Sequence, residues 1–423
     1  MSDNLQSRPS VSPLEGALES IPLPHTPDLD KGLGFMERQV LNFMAHIEEG
    51  YLVLHLPNGH CHCFGDQEAD LQADITFHSL VALRRSFFGG DLGFAESYLK
   101  GEWSSSNLSD LLLLMLRNLQ YFKTLPLLAT FRSKIARLRH LMNDNSLRGS
   151  RRNIAYHYDL GNDFYRLWLD PTMTYSSALF GREDQTLEEA QDNKYDTIAD
   201  WADLDENSRV LEIGCGWGGF ARRCHQQSGS RITGLTLSRE QLAFARQKAA
   251  EAGLEDRLEF RLEDYRHCRG QYDAIVSIEM FEAVGEKHWE SYFTTLHDRL
   301  KTGGKAVLQI ITIADDRYPV YRKGTDFIQQ YIFPGGFLPS PSVLREQFAK
   351  YGFRLEREHF FGQDYARTLA VWREAFLREW PELEKQGFDE RFKRMWLYYL
   401  SYCEAGFVED SINVGLFKIV KTG

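Results

Sequence analysis

Between residues 190 and 312 the chain alternates short apolar runs with segments of helical periodicity. Ser208-Arg209-Val210-Leu211-Glu212-Ile213 reads as a strand that ends in a glycine-rich turn, and a helix over residues 220–227 follows. Further strands are expected at 231–236, 258–262, 274–278 and 305–312, with a helix over 240–252. Such βα alternation with short connections predicts an α/β fold: a doubly wound parallel sheet with helices on both faces. Ligands bind such sheets beyond the carboxyl ends of the strands. Upstream, alternating segments at 51–56 and 73–77 and a helical one at 110–118 predict a smaller N-terminal α+β domain over residues 31–120. Residues 1–30 lack periodicity and read as a flexible leader. The segment 121–152 reads as a basic helical linker to a catalytic domain over 153–423.

Charge sharpens this picture. The net charge of −11 argues against general nucleic-acid binding, which needs clustered cations. Locally the sign reverses: Arg117, Lys123, Arg132, Lys134, Arg137, Arg139, Arg148, Arg151 and Arg152 face a single acid, Asp144, in the same stretch. Such a stretch suits an anionic membrane surface, at about 1 kcal/mol per cation near the lipid, or forms a solvated helix face. No apolar run approaches a membrane span, so membrane contact is expected to be peripheral, on the cytoplasmic face. The 6 cysteines are too few and scattered for a disulfide framework. His60-Cys61-His62-Cys63 alternates faces on a strand, with no second Cys/His pair at finger spacing, so no metal site is expected. The 13% aromatic share is compatible with an apolar substrate and equally with two aromatic cores.

The turn Gly214-Cys215-Gly216-Trp217-Gly218 lets the backbone approach a ligand closely, but no P-loop Lys-Ser/Thr follows it. The next strand ends in Thr236-Leu237-Ser238-Arg239-Glu240-Gln241, without an acid at the tip to grip a dinucleotide ribose. The strand after that ends in Glu263-Asp264-Tyr265, a carboxylate able to accept from an adenine amino group beside an aromatic edge. Together these features fit an adenosyl ligand without phosphates.

Several blocks, in order, resemble the cyclopropane fatty acid synthases and their mycolic-acid relatives. They are Tyr156-His157-Tyr158-Asp159-Leu160-Gly161-Asn162, Leu169-Asp170-Pro171-Thr172-Met173-Thr174-Tyr175-Ser176, the Gly-Cys-Gly-Trp-Gly loop, Met280-Phe281-Glu282-Ala283-Val284-Gly285, Tyr331-Ile332-Phe333-Pro334-Gly335-Gly336 and Tyr398-Tyr399-Leu400. The resemblance implies a Rossmann-like class I methyltransferase that moves the methyl of S-adenosylmethionine onto the double bond of an unsaturated phospholipid acyl chain, closing a cyclopropane ring. It implies donor contacts from Tyr175, Ser176, Val210, Leu211, Glu212, Ile213, Gly214, Cys215, Gly216, Trp217, Gly218, Thr236, Leu237, Ser238, Arg239, Glu240, Gln241, Asp264 and Tyr265. It further implies a bound bicarbonate as general base, oriented by Glu282 and Tyr365, and a homodimer on the bilayer. Cys403 falls where members carry a cysteine labelled as the active site, although methyl transfer needs no covalent step and packing in a helix accounts for it as well.

Two positions depart from that pattern. Ser177 stands where many members carry a cysteine, and Ile311 where members carry a histidine; Gln309, on the same strand face as Ile311, offers compensation. A displaced base would let the cation lose another proton or undergo a hydride shift, so a methyl- or methylene-branched product is the alternative to the ring. A catalytically silent lipid-binding protein is the alternative of another class.

Overall fold

The computed structural model describes residues 34–119 and 160–422. The expected leader, the basic linker and the Tyr156–Asp159 stretch lie outside these residues. The N-terminal unit runs α1 (Phe35–Met44), β1 (Tyr51–His55), β2 (Cys61–Gly65), β3 (Gln72–Phe77), α2 (Leu80–Phe88), α3 (Gly90–Leu99), β4 (Trp103–Ser104) and α4 (Leu108–Arg117). Its four strands are ordered β2-β1-β3-β4, with β1 antiparallel to β2 and parallel to β3. Period-two alternation turns Leu52, Leu54, Ala73, Ile75 and Phe77 into the core. Helix α4, capped at Asn107, buries Leu111 through Leu114 in succession. An all-round apolar helix needs neighbours on two sides, and α4 is packed between β3 and the long helix α14 described below.

The larger unit continues with α5 (Asn162–Arg166), α6 (Leu187–Trp201), β5 (Arg209–Ile213), α7 (Gly219–Ser228), β6 (Arg231–Thr236), α8 (Arg239–Glu251), β7 (Leu258–Leu262), β8 (Tyr272–Ile278), α9 (Trp289–Arg299) and β9 (Leu300–Ile313). It ends with α10 (Tyr318–Tyr321), α11 (Pro341–Lys350), β10 (Phe353–Phe360), α12 (Gly362–Arg378), α13 (Trp380–Lys385), α14 (Glu390–Val408) and β11 (Ile412–Lys421). A capping box between Thr186 and Glu189 starts α6, and Ser238 caps α8. The seven strands are ordered β10-β11-β9-β8-β5-β6-β7. Strands β5 to β9 pair in parallel, and β11 is antiparallel to both its neighbours. This is the doubly wound α/β sheet that the alternation predicts, with one reversed strand near its edge.

Strand β9 begins earlier than its apolar pattern, running through the Gly303-Gly304 pair with a register shift against β8. A Cβ on Gly304 would lie 2.8 Å from the Lys301 carbonyl and 3.0 Å from that of Asp273, so glycine permits the close strand approach there. The two units are joined by polar contacts across α4 and α14: Ser109 Oγ donates to Glu404 at 2.8 Å and Arg117 Nε to Glu409 at 2.8 Å. The Tyr331 hydroxyl adds a bond to Glu96 at 3.0 Å. On edge strand β2, Cys61 and Cys63 are exposed on one face while His62 turns to the other. Among the described residues no group of three or more His, Cys, Asp or Glu side chains could hold a metal, and no helix is long and apolar enough to cross a membrane.

Candidate active site

A cavity of about 1280 Å³ opens at the carboxyl ends of β5 to β9. Pockets for one drug-sized ligand run about 300–1,000 Å³, so this one has room for a donor and a second molecule. Its donor end is formed by the loop after β5. Gly214 has φ 86°, and a Cβ there would lie 2.8 Å from Met280 Cγ, so only glycine lets the turn pass beneath that side chain. Gly218 caps α7 at φ 77°, where a Cβ would meet Phe260 Cζ at 2.9 Å. Trp217 is held by its indole N–H, which donates to Asn162 Oδ1 at 2.6 Å.

The donor residues expected from the sequence separate into two groups. Tyr175, Ser176, Glu212, Ile213, Gly214, Cys215, Gly216, Trp217, Thr236, Leu237, Gln241, Asp264 and Tyr265 line the cavity. Val210 and Leu211 are buried within the sheet, Gly218 and Ser238 act as helix caps, and Arg239 and Glu240 are exposed on the first turn of α8. The Thr236 hydroxyl donates to Gln241 Oε1 at 2.8 Å, tying the end of β6 to α8. Both carboxylate oxygens of Asp264 accept from the Arg266 guanidinium, at 2.8 and 2.7 Å. Glu212 is buried with Oε2 unpartnered, and burial pushes its carboxyl up to about 8. An orphaned polar oxygen beside a glycine cradle fits a polar, phosphate-free adenosyl ligand.

Beyond the donor loop lies a carboxylate that sequence reading did not single out. Glu279 follows the last residue of β8 at φ 47°, an unusual conformation for a bulky residue. Its N–H keeps the strand pairing through Gln309 O at 2.9 Å while its side chain turns into the site. Oε1 accepts from the Ser177 N–H at 2.8 Å and from Gln309 Nε2 at 2.7 Å, and Oε2 accepts from the Tyr365 hydroxyl at 2.6 Å. Strained backbone persists where its surroundings over-determine it, and three donors from β9, α12 and the 175–177 loop do so here.

Lys194 is the second unanticipated residue. It is fully buried on α6, and its ammonium donates to Ser176 Oγ at 2.7 Å and Ser177 O at 2.9 Å. Desolvation pulls Lys194 down and pushes Glu279 up, and each charge opposes the shift of the other. Both have a trace in the sequence: Lys194 sits at helical spacing between Ala190 and Ile198 on the inward stripe, and Glu279 ends a buried apolar strand.

The expected catalytic residues are brought together around this carboxylate. Tyr365, Gln309 and the Ser177 backbone bind Glu279, while the Ser177 hydroxyl turns away to Ala178 O at 2.9 Å. Glu282 lies in the same pocket and accepts from the Ile311 N–H. Burial, reinforced by the charge of Glu279, pushes its carboxyl up to about 8, so it carries its proton near neutrality. Cys403 lines the cavity, but burial and the nearby Asp326 and Glu279 charges push its thiol up and disfavour a thiolate. Tyr365 and Gln309 are thus bonded to Glu279, whereas Glu282 Oε2 is buried without a hydrogen-bond partner.

Comparison with known proteins agrees with this geometry. Residues 145–417 match the family described as mycolic acid cyclopropane synthetase. Tuberculostearic acid methyltransferase UfaA1 of Mycobacterium tuberculosis is 40% identical over 84% of this chain and 85% of its own length. The cyclopropane-fatty-acyl-phospholipid synthase of Escherichia coli is 36% identical over 81% of this chain and 86% of its own. The structure of mycolic acid cyclopropane synthase CmaA1 with SAH and CTAB superposes with a TM-score of 0.60 at 32% identity, covering 64% of this chain and 98% of that one. With the family match over residues 145–417 and these relatives in agreement, the protein belongs to the mycolic acid cyclopropane synthetase family and is an S-adenosylmethionine-dependent methyltransferase.

Proposed function

We propose that this enzyme methylates the double bond of an unsaturated acyl chain in a membrane lipid, and that Glu279, not a bound bicarbonate, receives the proton lost afterwards. The alkene π pair forms a bond to the methyl carbon while the C–S bond of the donor breaks with its pair going to sulfur. A carbocation is left on the neighbouring carbon. A buried, water-poor pocket lined by Tyr175, Tyr365 and Tyr399 keeps water from that cation. A 1,2-hydride shift moves the charge to the methylated carbon, and loss of a proton from the new methyl to Glu279 yields a methylene branch on the chain. Reduction to a saturated branch would need a separate hydride donor.

The observation that carries this reading is the Glu279 carboxylate held by Ser177, Gln309 and Tyr365 where an exogenous anion was anticipated. The 40% identity with a tuberculostearic acid methyltransferase supports the branched product. The likeness to the Escherichia coli synthase favours a second reading, in which Glu279 takes the proton before the hydride moves and a cyclopropane closes. Peripheral docking and a homodimer remain part of the proposal on family likeness.

The test is expression in a host lacking such lipids, followed by mass spectrometry and proton NMR of the extracted acyl chains. A gain of one CH2 with vinylidene protons is expected. Upfield ring protons establish the cyclopropane reading instead, and no added carbon in any unsaturated lipid defeats both.

A further inference from the structure

The cavity does not end at Glu279 and Cys403. It continues past Ile328 and Tyr398 into the N-terminal unit, where Met44, Phe77, Leu83, Phe94, Leu112 and Met115 line it. Four of these are closed off from solvent: Met44, Phe77, Leu83 and Leu112 are at most 7% exposed. They come from α1, β3, α2 and α4, the elements whose inward faces make that unit's own core. Small domains normally close such a core at crystal-like density. Here the core opens into a space continuous with the methyl-transfer site, and its apolar walls are offered to a ligand rather than to a neighbouring side chain.

We propose that the methyl-terminal part of the acyl chain is housed inside the N-terminal domain, which thereby sets the accepted chain length. The proposal rests on the acyl-substrate reading above. Chemistry distinguishes the two ends of the substrate. Charged side chains also line the cavity on the N-terminal side, at Glu49 and Asp91, and near it at Asp326, whereas exposed Asp316 beside Arg317 marks one rim and the Arg117–Glu409 pair marks the domain seam. A polar headgroup suits the rim or the seam and a hydrocarbon end suits the six apolar residues. The seam is fixed by the Ser109–Glu404, Arg117–Glu409 and Glu96–Tyr331 bonds, so the depth of the pocket is set by the fold. Each methylene seated in it is worth roughly fourfold in affinity until the pocket is full.

Met115 tests the idea in both directions, because it lines the cavity and is only partly buried. Met115→Trp shortens the pocket and Met115→Ala deepens it. Full-length protein and both variants are assayed on vesicles of cis-monounsaturated lipids that share the double-bond position, counted from the carboxyl end, and differ in length by two-carbon steps. In parallel, calorimetry follows the binding of saturated fatty acids of the same lengths, with donor affinity and melting temperature as controls. Met115→Trp is expected to lose more than tenfold on the longest chains and less than twofold on the shortest, while Met115→Ala shifts the optimum upward. A length profile unchanged in Met115→Ala, or lowered equally at all lengths in a folded Met115→Trp, overturns the proposal. If the parent enzyme methylates no lipid, the functional reading fails by itself, and the fatty-acid binding profile still decides whether the domain measures chain length.

Discussion

The Tyr365 hydroxyl donates to Glu279 Oε2 at 2.6 Å, within the range of bonds to an ionised oxygen, and the two residues lie 86 positions apart in the chain. Together with the Ser177 N–H and Gln309 Nε2, this bond gives Glu279 three donors that favour its charged form. Glu279→Gln keeps the size and removes the base. General-base catalysis contributes about 10²–10⁴-fold, so the rate of S-adenosylhomocysteine release should fall by about that factor while calorimetric donor affinity stays level. Tyr365→Phe leaves two donors in place and should cost roughly tenfold. A Glu279→Gln enzyme within threefold of the parent would remove Glu279 from the chemistry.

Cys403 leads to the opposite expectation. Its thiol is pushed up by burial, and the charges of Asp326 and Glu279 oppose a thiolate further. Cys403→Ala should therefore retain methyl transfer within about fivefold, the loss coming from packing in α14. Mass spectrometry of the intact protein during turnover should show no alkylated cysteine. Abolished activity in a folded, donor-binding Cys403→Ala protein counts against this assignment.

Much of the catalytic unit was legible because local periodicity encodes it. The apolar runs at 208–213 and 231–236 mark β5 and β6 to within a residue. The residues around the reacting centre were legible as types without their partners. Glu282 and Glu279 are three positions apart, and nothing in their spacing says which carboxylate collects the donors. The left-handed backbone at 279 decides it, and tertiary packing of β9 and α12 imposes that conformation. The opening of the N-terminal core toward the transfer site has no local signature either. Residues such as Leu83 and Leu112 carry the same helical pattern whether they face a closed core or a void.

Glu282 gives a pH-dependent prediction for stability. Its carboxyl is raised from 4.5 to about 8 in the folded protein. Between those values the unfolded chain releases the proton and the folded chain retains it, so stability declines as pH rises through the window. Glu282→Gln lacks this titration, and groups remote from the Glu279–Glu282 pair cancel in the comparison. The melting temperature of the parent relative to Glu282→Gln should therefore drop steadily from pH 5 to pH 8. A constant gap would mean that Glu282 is charged throughout.

Lys194 acts on the reaction through Glu279. Its buried ammonium is held by Ser176 Oγ and Ser177 O, and its charge favours the ionised form of Glu279 against desolvation. Lys194→Met keeps the aliphatic stem and deletes the charge. Without that charge only the three hydrogen bonds oppose desolvation, so Glu279 in this variant holds its proton to higher pH. The acid limb of the kcat profile should therefore move upward, with rate recovered on the alkaline side. A merely structural lysine would lower kcat equally at every pH, so a folded variant with an unshifted acid limb refutes the coupling. In Glu279→Gln the same Lys194→Met change should no longer move the limb, because the group it acts on is gone.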